Sequence, residues 1–343
     1  MGDRIAILGP GAIGGICAAL MTLGGLDVTL VCKHPETAEL ASGRGLHITG
    51  FRGEHTVPVK AVATPDELDG TYSLVLIATK AYDLSDAACS MRPHMDADSL
   101  AVAMQNGICV DIMADAVGPE RTVGCVIGWG ATMHDRCELE MTSGGDFVIG
   151  LMQGCESPRL DSLRRALEFV APCRVSGDIY AELYSKLIVN SCITSLGAVC
   201  GLTLGEMMKR RDARTIFLAI IAEAVEVAGA MKLDIPPYGG KLNYASLMKG
   251  SSPLDNLRRH AVIRIVGMKY SKLKSSSLQS LERGRPTEID SFNGYIARKG
   301  KELGVACPVC ERLTAMVREI EAGKRRISTD NLADRELTAA LRR

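Results

Sequence analysis

The architecture of this chain is set by the segment Arg4-Ile5-Ala6-Ile7-Leu8-Gly9-Pro10-Gly11-Ala12-Ile13-Gly14 and the apolar run Gly15–Met21 behind it. An apolar pentapeptide, a glycine turn and an alanine-rich run predict a strand, a tight turn and a buried helix. The glycines have G-x-G-x-x-G spacing. Gly9 allows the turn, Gly11 leaves room for a pyrophosphate, and Gly14 lets helix and strand pack closely. The helix N-terminus offers N–H groups to phosphate. We therefore predict that the residues from Gly9 through Pro10, Gly11, Ala12 and Ile13 to Gly14 bind a dinucleotide.

Composition excludes several classes of partner. Hydrophobic residues make up 47% of the 343 residues, and 40 basic side chains balance 40 acidic ones. A chain with no net charge has no general attraction to polyanions, so we expect neither a nucleic acid nor a membrane as partner. The first residues lead straight into a strand, so we expect no signal peptide and a cytoplasmic location. The apolar stretch Leu183–Val199 contains Lys186 and Asn190 and is too short and polar for a good membrane span.

The cysteines predict neither disulfides nor a metal site. All twelve are scattered, mostly in apolar runs, so we expect free thiols. Cys307 and Cys310 form the one C-x-x-C motif. A zinc site needs about four ligands, and no second Cys/His pair stands at a familiar spacing. We interpret this motif as coincidental and expect no metal.

The second predicted strand, Asp27–Cys32, bears on the choice of cofactor. Enzymes that use NAD usually carry Asp or Glu near the end of this strand, where the acid binds the ribose 2′-OH. This chain has Cys32-Lys33-His34 instead. No carboxylate repels a 2′-phosphate there, and Lys33 can hold one, so the sequence favours NADP(H). The alternative is that Lys33 is a solvated loop lysine.

Two further buried strands are predicted, Ser73–Ala78 and Leu100–Met104. Ligands bind beyond the carboxyl ends of strands in an open α/β sheet. Lys80 follows the first of these strands and Asn106 the second, so both are candidates to contact cofactor or substrate. The alternatives are a solvated lysine and an Asn-Gly turn.

The rest of the first domain adds antiparallel elements to the predicted parallel sheet. Gly45–Thr49 and Thr56–Ala61 predict a hairpin-type insertion, and Thr122–Ile127 a further strand. Glu138–Met141 and Phe147–Ile149 flank Ser143-Gly144-Gly145-Asp146, which is typical of a hairpin. A helix at Arg159–Val170 and a strand at Cys173–Ser176 complete an α/β domain.

From Asp178 onward the pattern is helical. It predicts an all-α domain of four long helices, which are Ile179–Val199, Leu204–Met231, Asp255–Leu273 and Glu288–Leu303. The predicted domains are residues 1–177 and 178–323, and residues 324–343 are predicted to be a loosely packed tail because they are charged and poor in apolar side chains.

Polar groups with possible chemistry stand in two helical segments. Lys186 and Asn190 are four residues apart and share a face of an otherwise apolar helix. Burial in such a helix would make a lysine lose its proton more readily; the alternative is a lysine that snorkels from the helix edge. Farther on, Ser275–Asp290 runs from a serine tract into Thr-Glu-Ile-Asp, where Thr287 can cap a helix and Glu288 can complement its dipole.

Together these features resemble the ketopantoate reductase (2-dehydropantoate 2-reductase) family over about residues 4 to 320. The resemblance rests on the glycine turn, Lys80, Gln105-Asn106-Gly107, the Lys186…Asn190 helix, and the Ser-Ser-x-Leu-Gln…Gly-Arg-Pro-Thr-Glu-Ile-Asp block. It implies a Rossmann domain followed by an all-α domain. It also implies NADPH-dependent reduction of a 2-oxo acid, 2-dehydropantoate, to the 2-hydroxy acid pantoate in the synthesis of pantothenate and coenzyme A.

The resemblance also implies roles for individual residues. Lys186 would be the general acid of the reaction. Asn106 would lie near the nicotinamide ribose and the substrate, while Asn190 and Ser276 would contact the substrate. Glu288 would contact the cofactor ribose, and Lys80 and Ala131 would line the cofactor site. A lysine suits this chemistry, because it can stabilise the charge that develops on a ketone oxygen and protonate it.

Some positions depart from the family pattern. Thr194 stands where a substrate-binding asparagine is usual, and apolar Leu204 falls where a polar contact is expected. The alternatives are therefore a paralogous reductase for another 2-oxo acid or hydroxy acid, and a non-catalytic NADPH-binding regulatory protein. The expected partner is a small 2-oxo acid, and the chain is expected to be a monomer or a homodimer.

Overall fold

The computed structural model describes residues 3–153, 157–269 and 271–342. The chain divides into two compact units, Met1–Leu183 and Tyr184–Arg343. The border thus falls between residues 183 and 184, whereas the sequence pattern placed it between 177 and 178.

The first unit is built around a mixed sheet. The strands of the whole unit are β1 (Arg4–Leu8), β2 (Asp27–Val31), β3 (Leu46–Gly50), β4 (His55–Val57), β5 (Lys60–Val62), β6 (Leu74–Ile77), β7 (Leu100–Ala103), β8 (Thr122–Ile127), β9 (Gly130–Asp135), β10 (Glu138–Ser143), β11 (Phe147–Leu151) and β12 (Cys173–Val175). The main sheet has the order β12-β11-β8-β7-β6-β1-β2-β5. Strands β5, β2, β1, β6, β7 and β8 run parallel, and β11 pairs antiparallel with β8. The predicted Rossmann domain with antiparallel additions is confirmed.

Helices pack on this sheet because its central strands are apolar on both faces. They are α1 (Ala12–Leu23), α2 (Pro35–Gly43), α3 (Leu84–Met91), α4 (Val110–Val117) and α5 (Pro158–Glu168). Ile5 and Ile7 of β1, Leu30 of β2 and Leu76 of β6 are almost completely buried. Each such side chain contributes about 1.5–3 kcal/mol on burial, which stabilises the packing of the helices on the sheet.

A second sheet, in the order β4-β3-β10-β9, corrects two predictions. The predicted hairpin of β10 and β11 is wrong, because β10 pairs with β9 and β3 while β11 belongs to the main sheet. The glycines before β11 serve a chain crossing instead: the Gly128 N–H donates to the Asp146 carbonyl at 2.8 Å, and a Cβ at Gly145 would overlap the Gly128 carbonyl.

The other correction concerns the stretch predicted as one strand over residues 56–61. It divides between the two sheets, since β4 pairs antiparallel with β3, and β5 pairs with β2. Pro58 separates β4 from β5 in the sequence. Because proline lacks a backbone N–H, it is a natural point for the chain to leave one sheet.

The second unit is helical, which confirms the predicted all-α domain. The helices are α6 (Ile179–Cys200), which begins just before the border, α7 (Leu204–Lys209), α8 (Arg211–Ala230), α9 (Tyr244–Met248), α10 (Pro253–Lys269), α11 (Ser276–Glu282), α12 (Asn293–Leu303), α13 (Pro308–Glu321) and α14 (Arg335–Ala340). The predicted single helix Leu204–Met231 is broken at Arg210, whose backbone is extended (φ −86°, ψ 134°). Helices α11 and α13 had no counterpart in the prediction.

Helix α13 begins on a buried carboxylate. Both oxygens of Glu223 accept backbone hydrogen bonds, from Val309 at 2.7 Å and from Cys310 at 2.9 Å. An acid of α8 therefore satisfies two free N–H groups at the start of α13. Burial raises the pKa of Glu223, and it raises the pKa of the Cys307 thiol to about 12. Cys307 and Cys310 are both free and buried. A thiol held protonated in this way is a poor metal ligand and a poor nucleophile.

The C-terminal segment corrects the expectation of a loosely packed tail. Asp334 accepts two hydrogen bonds of 2.9 Å from the guanidinium of Arg312, and Arg325 approaches the same carboxylate at 3.1 Å. These arginines hold the pKa of Asp334 well below its usual range. Leu332 and Leu337 are buried alongside. The charged side chains that suggested a loosely packed tail are therefore the ones that form the ion pairs holding this segment in place.

One helix among the described residues, α6, is long and apolar enough to cross a membrane by length and composition. Most of its apolar window, 78%, is buried inside the protein, as is usual for a core helix. The described residues contain no group of three or more His, Cys, Asp or Glu side chains that could hold a metal ion.

Candidate functional site

The glycine turn after β1 has the geometry that its spacing predicts. Gly9 adopts φ +105°, and a Cβ there would lie 3.0 Å from the backbone of Ala78 and Thr79. A Cβ at Gly14 would overlap the carbonyl oxygen of Gly9. By contrast, a Cβ at Gly11 would meet nothing within 4 Å. The first and third glycines are therefore needed for packing. Gly11 instead faces open space, so the phosphates of a ligand can approach its backbone.

The N-terminus of α1 suits an anion. Gly11 is the N-cap of this twelve-residue helix, no side chain caps it, and its first turn has no acidic residue. Nothing on the helix itself therefore competes with a phosphate for the first N–H groups or for the positive end of the dipole. Together with the open space at Gly11, this arrangement fits the pyrophosphate of a dinucleotide.

The end of β2 presents Lys33 as the sequence predicts. Lys33 is exposed, and its backbone has φ 68°, a left-handed conformation that few lysines adopt. Its N–H donates to the Ala63 carbonyl at 2.8 Å, which fixes the chain immediately after the strand. Residues 32–34 carry no carboxylate.

Gln105, which the sequence analysis gave no role of its own, joins the ends of two neighbouring strands. Its side-chain Nε2 donates to the carbonyls of Ile77 at 2.8 Å and Thr79 at 3.1 Å, and the residue is only 7% exposed. Ala78, which lies between these two acceptors, is the residue against which Gly9 and Gly14 pack. Gln105 therefore holds in place the backbone around Ala78, against which the glycine turn packs.

Lys80 and Asn106 are exposed residues just beyond β6 and β7, the strands that Gln105 joins. The structure thus places both at the carboxyl edge of the parallel sheet, as predicted. Ala131 follows the carboxyl end of β8 and lies in β9 of the second sheet, where it is paired with Met141 and partly buried against the core.

In the second unit, the predicted substrate residues follow one face of α6. Lys186, Asn190 and Thr194 are spaced by four residues, and the first two are half-buried. Thr194 is buried, and its hydroxyl donates to the Asn190 carbonyl at 2.7 Å. The Thr194 hydroxyl hydrogen is therefore committed to the helix, while its oxygen can still accept a hydrogen bond.

The serine tract meets the same face one turn farther along. A Cβ at Gly197 would lie 2.5 Å from the hydroxyl oxygen of Ser275, so Gly197 is the gap into which Ser275 fits. Ser275 caps α11 by accepting from the Leu278 N–H at 3.2 Å, and Ser276 is the exposed first residue of that helix. The structure therefore brings the start of α11, where Ser276 lies, to Gly197, one turn beyond Thr194. Ser275 was not predicted as a cap.

Glu288, the remaining predicted site residue, is half-buried at the start of a 3-10 turn, Ile289–Ser291. Thr287 accepts from the Ile289 N–H at 3.3 Å, but the prediction that it caps a helix is wrong, because Glu288 is the N-cap of this turn. The α-helix proper begins only at Asn293. Asp290 pairs with Arg318 at 2.6 Å.

Both units of the chain match models of one known protein family. Residues 5–154 match the family described as "Ketopantoate reductase PanE/ApbA", and residues 178–321 match its C-terminal counterpart. The 2-dehydropantoate 2-reductase of Archaeoglobus fulgidus is 27% identical over 323 residues, which cover 94% of this chain and 99% of that protein.

Two solved structures share the fold. A PanE/ApbA family ketopantoate reductase from Ralstonia eutropha superposes with a TM-score of 0.80 at 24% identity, covering 94% of this chain and 99% of the other. A D-mandelate dehydrogenase solved with NADH and anilino(oxo)acetate superposes with a TM-score of 0.78 at 23% identity and the same coverage.

Proposed function

Because the chain belongs to the ketopantoate reductase family, we propose that it is an NADPH-dependent reductase that converts a 2-oxo acid to the 2-hydroxy acid. The observation that carries the proposal is the α6 face, which keeps a lysine and an asparagine one turn apart in a mostly apolar helix. We propose 2-dehydropantoate as the substrate, and a soluble, cytoplasmic enzyme of pantothenate synthesis.

Lys186 is proposed as the general acid. When bound, the nicotinamide would supply the hydride. As the substrate C2 becomes tetrahedral, negative charge develops on its oxygen; the Lys186 ammonium group stabilises that charge and donates the proton that completes the hydroxyl. Asn190, Thr194, Ser276 and Asn106 are proposed to hydrogen-bond the substrate, which holds its carbonyl in one orientation.

The cofactor is proposed to bind along the glycine turn through its pyrophosphate, with Lys33 at the 2′-phosphate. Lys80, Asn106, Ala131 and Glu288 complete the proposed cofactor contacts. The absence of a carboxylate at residues 32–34 supports NADPH. The D-mandelate dehydrogenase of similar fold was solved with NADH, and the assay below therefore compares the two cofactors.

Two positions favour a second candidate, a paralogous reductase for another 2-oxo acid. Leu204 is 2% exposed, and its N–H donates to the Leu273 carbonyl at 2.9 Å, so its side chain offers no polar contact to a ligand. Thr194 has a shorter side chain than asparagine and gives its proton to the helix. A site with fewer donors discriminates less strongly for a hydroxylated substrate.

One steady-state assay tests the proposal and separates these candidates. We expect the purified protein to oxidise NADPH with 2-dehydropantoate, with a kcat/KM at least about tenfold higher than with NADH. A panel of branched, linear and aromatic 2-oxo acids serves as the comparison. A higher kcat/KM for another acid would favour the paralogous reductase. NADPH binding without turnover on the whole panel would contradict catalysis and favour a regulatory protein.

The role of Gln105 predicts a pH-dependent defect in Gln105→Glu. An ionised carboxylate cannot donate to the Ile77 and Thr79 carbonyls and would repel them, whereas the neutral acid can donate one hydrogen bond. Burial raises the pKa of such a carboxyl group. We therefore expect NADPH affinity near that of the wild type at acid pH and about tenfold weaker or worse once the carboxyl ionises, measured by fluorescence titration.

Gln105→Met is the matched control, since it removes the donor without adding a titrating group. Its NADPH affinity relative to the wild type should be reduced by the same factor at every pH. An affinity of Gln105→Glu that parallels the wild type at every pH would contradict the role assigned to this side chain.

A further inference from the structure

A loop of the helical unit is attached at both ends to one residue of α6. The Ser185 hydroxyl donates to the Pro236 carbonyl at 2.8 Å, and the Ser185 carbonyl accepts a hydrogen bond from the Tyr244 hydroxyl at 2.7 Å. Ser185 is 3% exposed and Tyr244 is 2% exposed, so water does not compete for these bonds. The segment from 236 to 244, here called the 236–244 loop, therefore begins and ends at the residue that directly precedes Lys186.

The 236–244 loop has a defined conformation between these two attachments. The Tyr238 N–H donates to the Leu242 carbonyl at 3.0 Å, and the Leu242 N–H donates back to the Tyr238 carbonyl at 3.1 Å. Gly239 and Gly240 make the turn with φ of 58° and 70°, a conformation that glycine adopts without strain. Two bonds at its ends and two across its middle hold the loop as a small hairpin.

Tyr238 lies close to the point of attachment. It is two residues from Pro236, so the Cα atoms of these residues are at most about 7 Å apart. Burial raises the pKa of Tyr244, and Tyr238 contributes to the rise, which requires the two phenol groups to be near each other. Tyr238 is 37% exposed, so most of it is packed against the protein while one part remains open to a ligand.

The 236–244 loop suits an anionic ligand that has an apolar chain. Residues 235–250 contain no carboxylate, and Lys241 adds a positive charge at the turn. Nothing in this stretch therefore repels a carboxylate that binds beside Lys186. Pro236 and Tyr238 add apolar and aromatic surface, which stabilises the part of a ligand that carries no charge.

From these attachments we propose that the 236–244 loop determines substrate specificity. The Tyr238 ring packs against the substituent on C3 of the 2-oxo acid, while Ser185 and Tyr244 are positioning residues that hold the loop. The inference rests on the proposed function, because it takes Lys186 as the group that meets the substrate oxygen.

The shape of the ring sets the preference. A 2-oxo acid that is branched at C3 covers more of a flat ring than its linear isomer does, so the loop favours branched substrates. The ring touches the carbon chain and not the reacting carbon. It therefore stabilises the ground state and the transition state alike, which affects KM rather than kcat.

Two isomeric substrates test the proposal, 3-methyl-2-oxobutanoate and 2-oxopentanoate, which differ in branching at C3. We expect the wild type to have a higher kcat/KM with the branched acid. Tyr238→Ala should raise KM for the branched acid about tenfold, change KM for the linear acid less than about threefold, and leave kcat within about twofold. Tyr238→Phe keeps the ring and should keep the preference.

Tyr244→Phe tests the attachment of the loop, because it removes only a hydroxyl from a buried ring. We expect KM for the branched acid to rise about three- to tenfold while kcat is retained. A purely structural role would weaken both substrates alike and leave the ratio of their KM values unchanged. Phe169→Ala is the matched control, since this aromatic residue of the first unit is 41% exposed, and it should change neither KM. Circular dichroism and thermal unfolding check the fold of each variant.

The possible failures are distinguishable. A wild type that reduces no 2-oxo acid would overturn the proposed function and this inference with it. A wild type that reduces 2-oxo acids without preferring the branched isomer would overturn this inference alone, as would an unchanged ratio of KM values in Tyr238→Ala. An unchanged ratio in Tyr244→Phe would overturn the positioning role of Tyr244.

Discussion

Lys186→Ala should lower kcat about 100- to 10,000-fold while NADPH binding stays within about twofold of the wild type. The reason is that the proposed role of the ammonium group begins only when charge develops on the substrate oxygen. Removing it therefore raises the barrier of the chemical step and leaves the binding of cofactor at the glycine turn unaffected. Steady-state kinetics and fluorescence titration of NADPH measure the two quantities separately.

Two further variants sharpen that test. Lys186→Arg keeps a positive charge but is a poor proton donor, since a guanidinium has a pKa above about 12, so we expect a partial loss between the wild type and Lys186→Ala. Lys301→Ala removes an exposed lysine of α12 and should leave kcat unchanged. Wild-type turnover in Lys186→Ala would exclude this lysine from the mechanism.

Gly11→Ala and Gly14→Ala should fail in different ways. A Cβ added at position 11 meets no protein atom within 4 Å, and Gly11 has an ordinary φ of −69°, so we expect a folded protein of unchanged thermal stability. That Cβ does occupy the space that the cofactor pyrophosphate needs, so NADPH affinity should fall about 30-fold, or about 2 kcal/mol. Thermal unfolding and NADPH titration on the same samples show both effects.

A Cβ added at position 14 instead overlaps the Gly9 carbonyl, so Gly14→Ala should lower the unfolding temperature and weaken NADPH binding together. The expected loss of stability is about 1–3 kcal/mol, the usual result of overpacking. Equal stability and equal affinity in Gly11→Ala would contradict the proposed path of the cofactor, whatever Gly14→Ala does.

The parts of the fold that were predicted correctly are those that local sequence determines. Strands β6 and β7 are continuous apolar runs, β1 and β2 are mostly apolar, and the glycine turn follows β1 directly, so their order and their carboxyl ends could be derived without knowing the tertiary structure. The partner of a strand is a different matter. The glycines before β11 are compatible both with a hairpin and with a chain crossing, and only the contact between Gly128 and Gly145 decides for the crossing.

The remaining errors concern segments that distant residues stabilise. No helix was predicted at the serine tract, but Ser275 caps one and fits against Gly197 of α6. The C-terminal segment is attached through Asp334 to Arg312, on another helix. Gln105 likewise has a role only because β6 and β7 are neighbours in the sheet. A pattern within one segment cannot encode contacts of this kind.

The central claim is that hydride passes from the nicotinamide ring to carbon 2 of a 2-oxo acid. Incubation with NADPH that carries deuterium on the transferring face of C4, followed by mass spectrometry and NMR of the product, tests it directly. We expect one deuterium per molecule of 2-hydroxy acid, located at C2, and unlabelled NADP⁺ at C4. A hydroxy acid without deuterium, or oxidation of the cofactor without any hydroxy acid, would contradict the proposed reaction.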